Sequence, residues 1–541
     1  MIVQKLIDIL VKWKIMSLSP HAFTEALYLL PAPWMGTISV YECIRDKPDT
    51  NLPDDEEDSD SNKIRFAPGA LDGMYLYHMQ KRDDDEVDMR AQELITATVT
   101  LLDETSSENL QNLYRIVIQD SILPFADRFI EKLFEKQIAE RRQLLGVIGR
   151  YFASKAPHRE AVKFGLLLLE LAGEPSDIPT LETLARHDEF SLYAAIALSH
   201  LSDNRDRAIW NVALKVHSWG RVLLVEKLEG TKDAEIQAWM LREGFRNNVM
   251  DSYIALICAN TGGLKKALQL SNIDKPLLDG AAGLFRALTE TEGPVTGLEH
   301  YADAPDAMQL YLDHAIVAAT LSLEHFFCAR QLLDYFSLEE NQQLGSSPRW
   351  KNILNDVRRK CQDIINRPEW IQKVETGLRS KDSAIFFEAN QAASLLNIAT
   401  RSIHLEKVLE DPLSGSWYEL LKQTDDSNID EIIELASRTL PLSKIATGPG
   451  RELGMGPKFA AHRALDWVLQ DLKRFPKKGW VLLKAGLQSP VIGNRHMALN
   501  ALEVWPREFW PHDALAVLRE AVSKEPEAKV KSRLEEAIAS Y

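Results

Sequence analysis

Cysteine is scarce: Cys43, Cys258, Cys328 and Cys361 are the four in 541 residues, far apart and with no CxxC pair. That spacing excludes a disulfide framework and a zinc knuckle, and reads as reduced, mostly buried thiols. Positive charge is also short, with 63 Lys and Arg against 79 Asp and Glu and a net charge of −16. Binding a phosphate backbone draws on a concentrated positive surface, so nucleic acid is not an expected partner. Long apolar runs are missing, and no membrane span is expected. The opening MIVQKLIDILVKWKIM comes nearest, but Lys5, Asp8, Lys12 and Lys14 interrupt it and no small-residue cleavage site follows. It reads as an amphipathic first helix and not as a signal peptide. A soluble, cytoplasmic protein is expected.

Strand signals are nearly absent as well. Thr37 to Cys43 (TISVYEC) and Lys63 to Phe66 suggest a minor hairpin, and the βαβ alternation of a nucleotide-binding sheet is missing. What is present is helical periodicity. Hydrophobic residues make up 45% of the chain, enough for a large core in a chain several times the usual domain length. From about Val87 to Phe336 apolar residues recur at three- and four-residue spacing, in segments separated by short turns bearing Gly, Pro, Asp or Asn. In 177–202, Ile178, Leu181 and Leu184 make one stripe, and Leu192, Ala195, Ile196 and Leu198 the next.

Residues 487–502 and 522–538 superpose at an offset of 36, placing Pro490 on Pro526, Arg495 on Lys531 and Ala501 on Ala537. A period of this length with a proline turn, a basic residue and an Ala/Leu stripe is that of HEAT repeats. The predicted fold is all-α: a HEAT-like α-solenoid of stacked antiparallel helix pairs with a minor irregular N-terminal region. Its segments are 1–86 (N-terminal helices and an acidic loop), 87–345 (a helical-repeat array), 346–446 (connecting helices) and 447–541 (a Gly-rich loop and C-terminal HEAT-like repeats). Ser19 and Pro20 are read as a helix start. Asp83 to Glu86 suits the positive end of a following helix. The acidic run Asp54 to Asp60 reads as a solvated loop. As a calcium loop it would need Gly and Glu where Ser59 and Arg65 stand.

Candidate chemistry concentrates in two stretches. In TGPGRELGMGPKFAAHRALDWVLQDL (447–472), Gly448, Gly450, Gly454 and Gly456 suggest a backbone nest for an anion, with a helix starting at Pro457 and with Glu452, His462 and Asp466 as a polar site. The spacing matches neither GxGxxG nor TGxxxGxG, so a plain inter-helix loop is the competing reading. In 216–250, Trp219, Arg221, Trp239, Arg242 and Arg246 at helical spacing suggest a concave partner surface, against core packing with solvated arginines. Trp505, Phe509 and Trp510 around Pro506 and Pro511 read as an inter-repeat corner.

No haem-thiolate loop, facial triad, metal-ligand pair or GxSxG elbow occurs, and no metal site is expected. Tyr–Lys pairs four apart occur at Tyr77/Lys81, Tyr151/Lys155 and Tyr418/Lys422. Three such pairs make the spacing uninformative about dehydrogenase chemistry. No cofactor is evident.

The stretches 216–260 and 447–510, with the WPREFWP corner, resemble a group of Bacillus-type bacterial proteins that carry the name limonene hydroxylase. The resemblance implies a monooxygenase that converts the monoterpene limonene to carveol and perillyl alcohol. It also implies an NAD(P)-linked alcohol dehydrogenase activity that takes those alcohols to carvone and perillaldehyde. It carries no catalytic residue onto this chain, because no matching motif is present to receive one. Two functions are therefore expected in competition: this oxidoreductase, acting on a small apolar terpene, or a non-catalytic HEAT-like scaffold that binds another macromolecule, a protein partner.

Overall fold

The computed structural model describes residues 19–34, 38–48, 51–53, 66–79, 82–136, 138–290, 295–338 and 347–539. Among them every extended regular element is a helix, and the one isolated β-bridge pairs Glu452 with Val491. No helix among them is long and apolar enough to cross a membrane. The all-α expectation holds. The described chain forms two compact units, one ending at Arg367 and the other beginning at Pro368. That division falls inside the segment read as connecting helices.

Helix starts follow local chemistry. The Ser19 side chain accepts from the Ala22 N–H, and Pro20 opens helix Pro20–Leu29. Asp83 caps Asp84–Asp103, whose first turn holds Asp84, Asp85 and Glu86 as its dipole favours. The hairpin expected at 37–43 is overturned. Ser39 and Glu42 form a reciprocal capping box that opens helix Val40–Asp46, and this cap outweighs the β-branched residues around it. Lys63 to Arg65, the acidic run 54–60 and the opening 1–18 lie outside the described residues.

In the first unit, successive helices pack on the next and on the one after. Arg159–Ala172 lies against Arg142–Lys155 and Ser191–His200, and Ser191–His200 against Trp219–Lys227. The stack continues through Ser252–Gly262, Lys275–Leu288, Leu323–Tyr335 and Pro348–Ile365. This is the packing that a repeat array requires, since one hairpin alone cannot bury its apolar face. Two helices approach closely at Gly165, where a Cβ would lie 2.7 Å from the Ala153 nitrogen and 2.8 Å from the Gly149 carbonyl oxygen. A larger residue there would overpack the crossing, at a cost of about 1–3 kcal/mol.

The second unit repeats the scheme. Ser416–Lys422 packs on Ala460–Leu472, that helix on Ile492–Val504, and Ile492–Val504 on Ala528–Ala539. Trp417, Leu465, Leu469, Leu499, Leu518 and Leu534 form its core. The WPREFWP corner does join repeats: the Trp505 indole donates to the Leu472 carbonyl at 3.0 Å and the Trp510 indole to the Leu502 carbonyl at 3.0 Å.

Candidate functional site

The Gly-rich stretch is a strap laid along the turn before helix Ile492–Val504. The Gly448 N–H donates to the Gln488 carbonyl at 2.8 Å and the Glu452 N–H to the Pro490 carbonyl at 3.2 Å, while Ile492 donates back to Glu452 at 3.0 Å. Gly450 lies flat on Pro490, where a Cβ would come within 3.1 Å of the proline ring. Gly454, at φ +79°, leaves room for Val491, whose Cγ1 would otherwise meet a Cβ at 2.7 Å. Gly456 turns the chain at φ +84°, and its carbonyl accepts from Arg463 at 2.6 Å. Two backbone donors of the expected nest are thus spent on neighbouring carbonyls.

Beneath the strap, a buried ion pair holds it. Arg495 is 1% exposed and Glu525 is fully buried, with Arg495 Nε 2.8 Å from Glu525 Oε2. Arg495 also donates to the carbonyls of Ser489 and Gly450, at 2.7 Å each. An ammonium could not reach three acceptors in one plane as this guanidinium does.

Glu452, His462 and Asp466 converge beside this clamp. His462 is 8% exposed, neither of its ring nitrogens has a partner, and neither does the buried Glu452 Oε2. Burial lowers the pKa of His462 against the pull of Glu452, so the imidazole is held neutral. Burial lifts Asp466 from 3.8 to about 6, opposed by the hydrogen bond from Asn494. Asn494 donates to Asp466 Oδ1 at 2.6 Å and to the His462 carbonyl at 2.8 Å, and accepts from Ser489 at 2.7 Å. Asp466 can exchange a proton near neutrality, while the Ser489 hydroxyl is fully buried and engaged with Asn494. A cavity of about 200 Å³ opens at the other end of the strap. Gly448, Pro449, Leu487, Val517 and Ala521 are among its walls, and the Glu520–Lys524 ion pair also lines it.

The second predicted set belongs to the first unit, and burial divides it. Trp219 is buried, with its ring stacked over Gly73 and 5.1 Å from Tyr253. Arg221 is buried too, donating to the carbonyls of Ala213 and Arg246 at 3.3 and 3.1 Å, and burial lowers its pKa. Trp239 is partly covered, lying against Gly244 and 6.2 Å from Trp210. Arg242 pairs with Asp274 at 2.8 Å and Arg246 with Glu324 at 3.5 Å. Trp219 and Arg221 are thus turned into the packing, while Arg242 and Arg246 pair with carboxylates and stay partly exposed.

Sequence reasoning missed two clusters. Lys163 is 1% exposed, yet its ammonium lies 3.0 Å from Asp72, 3.1 Å from Glu160 and 2.8 Å from Glu189. The available signal was a lysine inside the apolar run AVKFGLLLLELA. The other cluster is a hydrogen-bond chain. His325 is fully buried between Asp279 and the Tyr311 hydroxyl, at 2.9 Å each. Burial pushes the neighbouring Cys328 thiol up to about 12. With Tyr311 donating to Nδ1, the Nε2–H of His325 donates to the Asp279 carboxylate.

The resemblance implies NAD(P), and the strap meets that expectation with only part of its backbone. A dinucleotide pyrophosphate needs free backbone donors, and the strap has given up those of Gly448 and Glu452. Of the four cysteines, Cys258, Cys328 and Cys361 are buried with raised pKa values, and Cys43 is half-buried. Among the described residues, no cluster of three or more His, Cys, Asp or Glu is arranged to hold a metal. No protein-family model, curated protein or solved structure matches the chain. What can be said of its kind is therefore architectural: two all-α units whose charged groups, at the places sequence singled out, largely fasten one repeat to the next.

Proposed function

We propose that this chain is a non-catalytic helical-repeat protein that works by holding a protein partner. One observation carries the reading: large apolar side chains stand in solvent on the hairpin of Glu369–Leu378 and Ser383–Leu395. Ile371 is 55%, Ile385 49% and Phe387 63% exposed. Scattered apolar residues are normal on a surface, but several on one hairpin mark a contact face. The arginines and carboxylates that would otherwise suggest chemistry are engaged between repeats, which suits a scaffold. The test is a complex that survives gel filtration with the unaltered chain and is lost with Ile385→Asp and Phe387→Asp together, at unchanged helical content. Equal retention by the double variant, or no complex at all, would sink the reading.

A second reading is favoured by the cavity at the strap, whose volume of about 200 Å³ and apolar side at Leu487, Val517 and Ala521 would take a monoterpene. It lies in the stretch that carries the resemblance, so limonene is the substrate this reading names. The chain would supply binding and orientation, and a cofactor would have to supply the oxidation to carveol and perillyl alcohol. Homogeneous protein with limonene, NADH, NADPH and air is compared with host cells lacking the chain. Product that tracks the purified protein and disappears with Ala521→Trp supports oxygenation at this cavity. Product at host background excludes it.

A further inference from the structure

We infer that residues 69–78 are a displaceable clip: a short helix, held in a groove of the first unit by Asp72, Gly73 and Tyr77, that can leave without unfolding the helices beneath it. The inference concerns the groove and its own segment, and it does not depend on the partner reading.

The clip is attached by polar and shape-specific contacts and contributes little apolar burial. Helix Ala70–Tyr77 buries Ala70, Asp72 and Gly73, while Leu71 and Leu76 are 40% and 49% exposed. A core helix does the reverse. Gly73 is a contact that any other side chain destroys, because a Cβ there would lie 2.1 Å from the Trp219 ring. The Gly69 N–H donates to Glu189 Oε2 at 2.7 Å. At the far end Tyr77 donates to Glu226 at 2.5 Å and His78 meets the Tyr253 hydroxyl at 2.5 Å.

The charge balance of the groove is better without the clip. Glu160 and Glu189 face Lys163, and Arg159 lies 3.7 Å from Glu189. Two carboxylates then stand against two cations. Asp72 brings a third carboxylate into the same buried volume. Its Oδ2 takes Lys163 at 3.0 Å and the Tyr193 hydroxyl at 3.2 Å, and its Oδ1 is left with no partner.

The shifts record this surplus. Burial opposes charge on Glu189, but Lys163 and Arg159 overcome it and hold the carboxyl down at about 2. Burial raises Asp72 and Glu160 despite Lys163. The cluster is one coupled system in which burial and mutual repulsion make the carboxyls of Asp72 and Glu160 harder to ionise. Asp188, also raised by burial, lies behind Gly69 and accepts from the backbone of Ser218 and Gly220.

Docking therefore makes the Asp72 carboxyl harder to ionise. A carboxyl raised in the docked state is favoured at low pH, and that advantage fades as pH rises through its docked pKa. The grip of the clip weakens with rising pH. The vacated groove would present Lys163 to a carboxylate, Glu189 to a backbone N–H and Trp219 to a glycine-sized surface.

The test uses the full chain and a fluorescent peptide of residues 66–79. Gly73→Leu evicts the chain's own clip, so the variant should bind the peptide at least about tenfold more tightly than the unaltered chain does. Binding should weaken as pH rises, and a peptide carrying Gly73→Leu should not bind, since its side chain would meet the Trp219 ring. If Gly73→Leu loses its helical signal, or stays folded and binds no peptide, the inference fails. Hydrogen exchange of the unaltered chain supplies the independent readout. Amides of 70–77 should exchange by an opening that leaves those of Arg159–Ala172 and Ser191–His200 protected, and equal protection overturns the clip.

Discussion

Glu525→Ala would strand the Arg495 guanidinium in the second unit with no counter-charge. The pair is desolvated, with the two side chains 1% and 0% exposed, and breaking such a pair from one side costs about 3–5 kcal/mol. The expected loss is near the lower end, about 3 kcal/mol, because the guanidinium keeps the Ser489 and Gly450 carbonyls. Arg495→Met with Glu525→Leu removes both charges. It should cost less, about 2 kcal/mol, the worth of two carbonyl acceptors left unmatched. Native-state hydrogen exchange on the full chain separates the units. Amides of Ile492–Val504 and Ala528–Ala539 should lose protection, and those of Arg159–Ala172 should not. Tryptic cleavage at Arg451 on the strap should accelerate in parallel. Lys524→Ala, in the exposed pair with Glu520, is the control and should change little. A loss under about 1 kcal/mol for Glu525→Ala, or a double variant worse than the single, would refute the argument that the strap is held by a buried charge.

Asp466→Asn keeps the Oδ1 that accepts from Asn494 and removes the ionisation. With the folded pKa raised from 3.8 to about 6, the unaltered protein should lose stability as pH rises across that interval, and the variant should lose less, read as Tm at both ends. Gly454→Ala and Gly456→Ala both force a positive φ on an L-residue, at about 1–2 kcal/mol. Only the first also meets Val491, so its Tm should fall further, and equal shifts would show that Val491 yields freely.

Periodicity carried most of the architecture. Leu181 and Leu184 lie in helix Ile178–Leu184 and are buried, as their stripe implied. The repeat at offset 36 also proved structural: Pro490 and Pro526 both precede helices, and Ala501 and Ala537 are both buried. Its basic position diverges, since Arg495 is buried on Glu525 while Lys531 is exposed. Alignment of the two could not reveal that difference, because burial depends on which helix stacks next. The candidate sites were legible as sequence neighbours only. Glycines at 448–456 predicted an unusual backbone, but whether its N–H groups stay free depends on residues 488–490. Asp72, Lys163 and Glu189 converge from separate segments, and no local pattern announces them.

The order of contacts in the first unit has a mechanical corollary. Helices there meet mainly near neighbours in the stack, so a pull along it is shared among many small adjustments at successive interfaces. Each interface yields a little and recovers, as coils of a spring do. Such a stack can bend by small steps at many interfaces while every core stays packed.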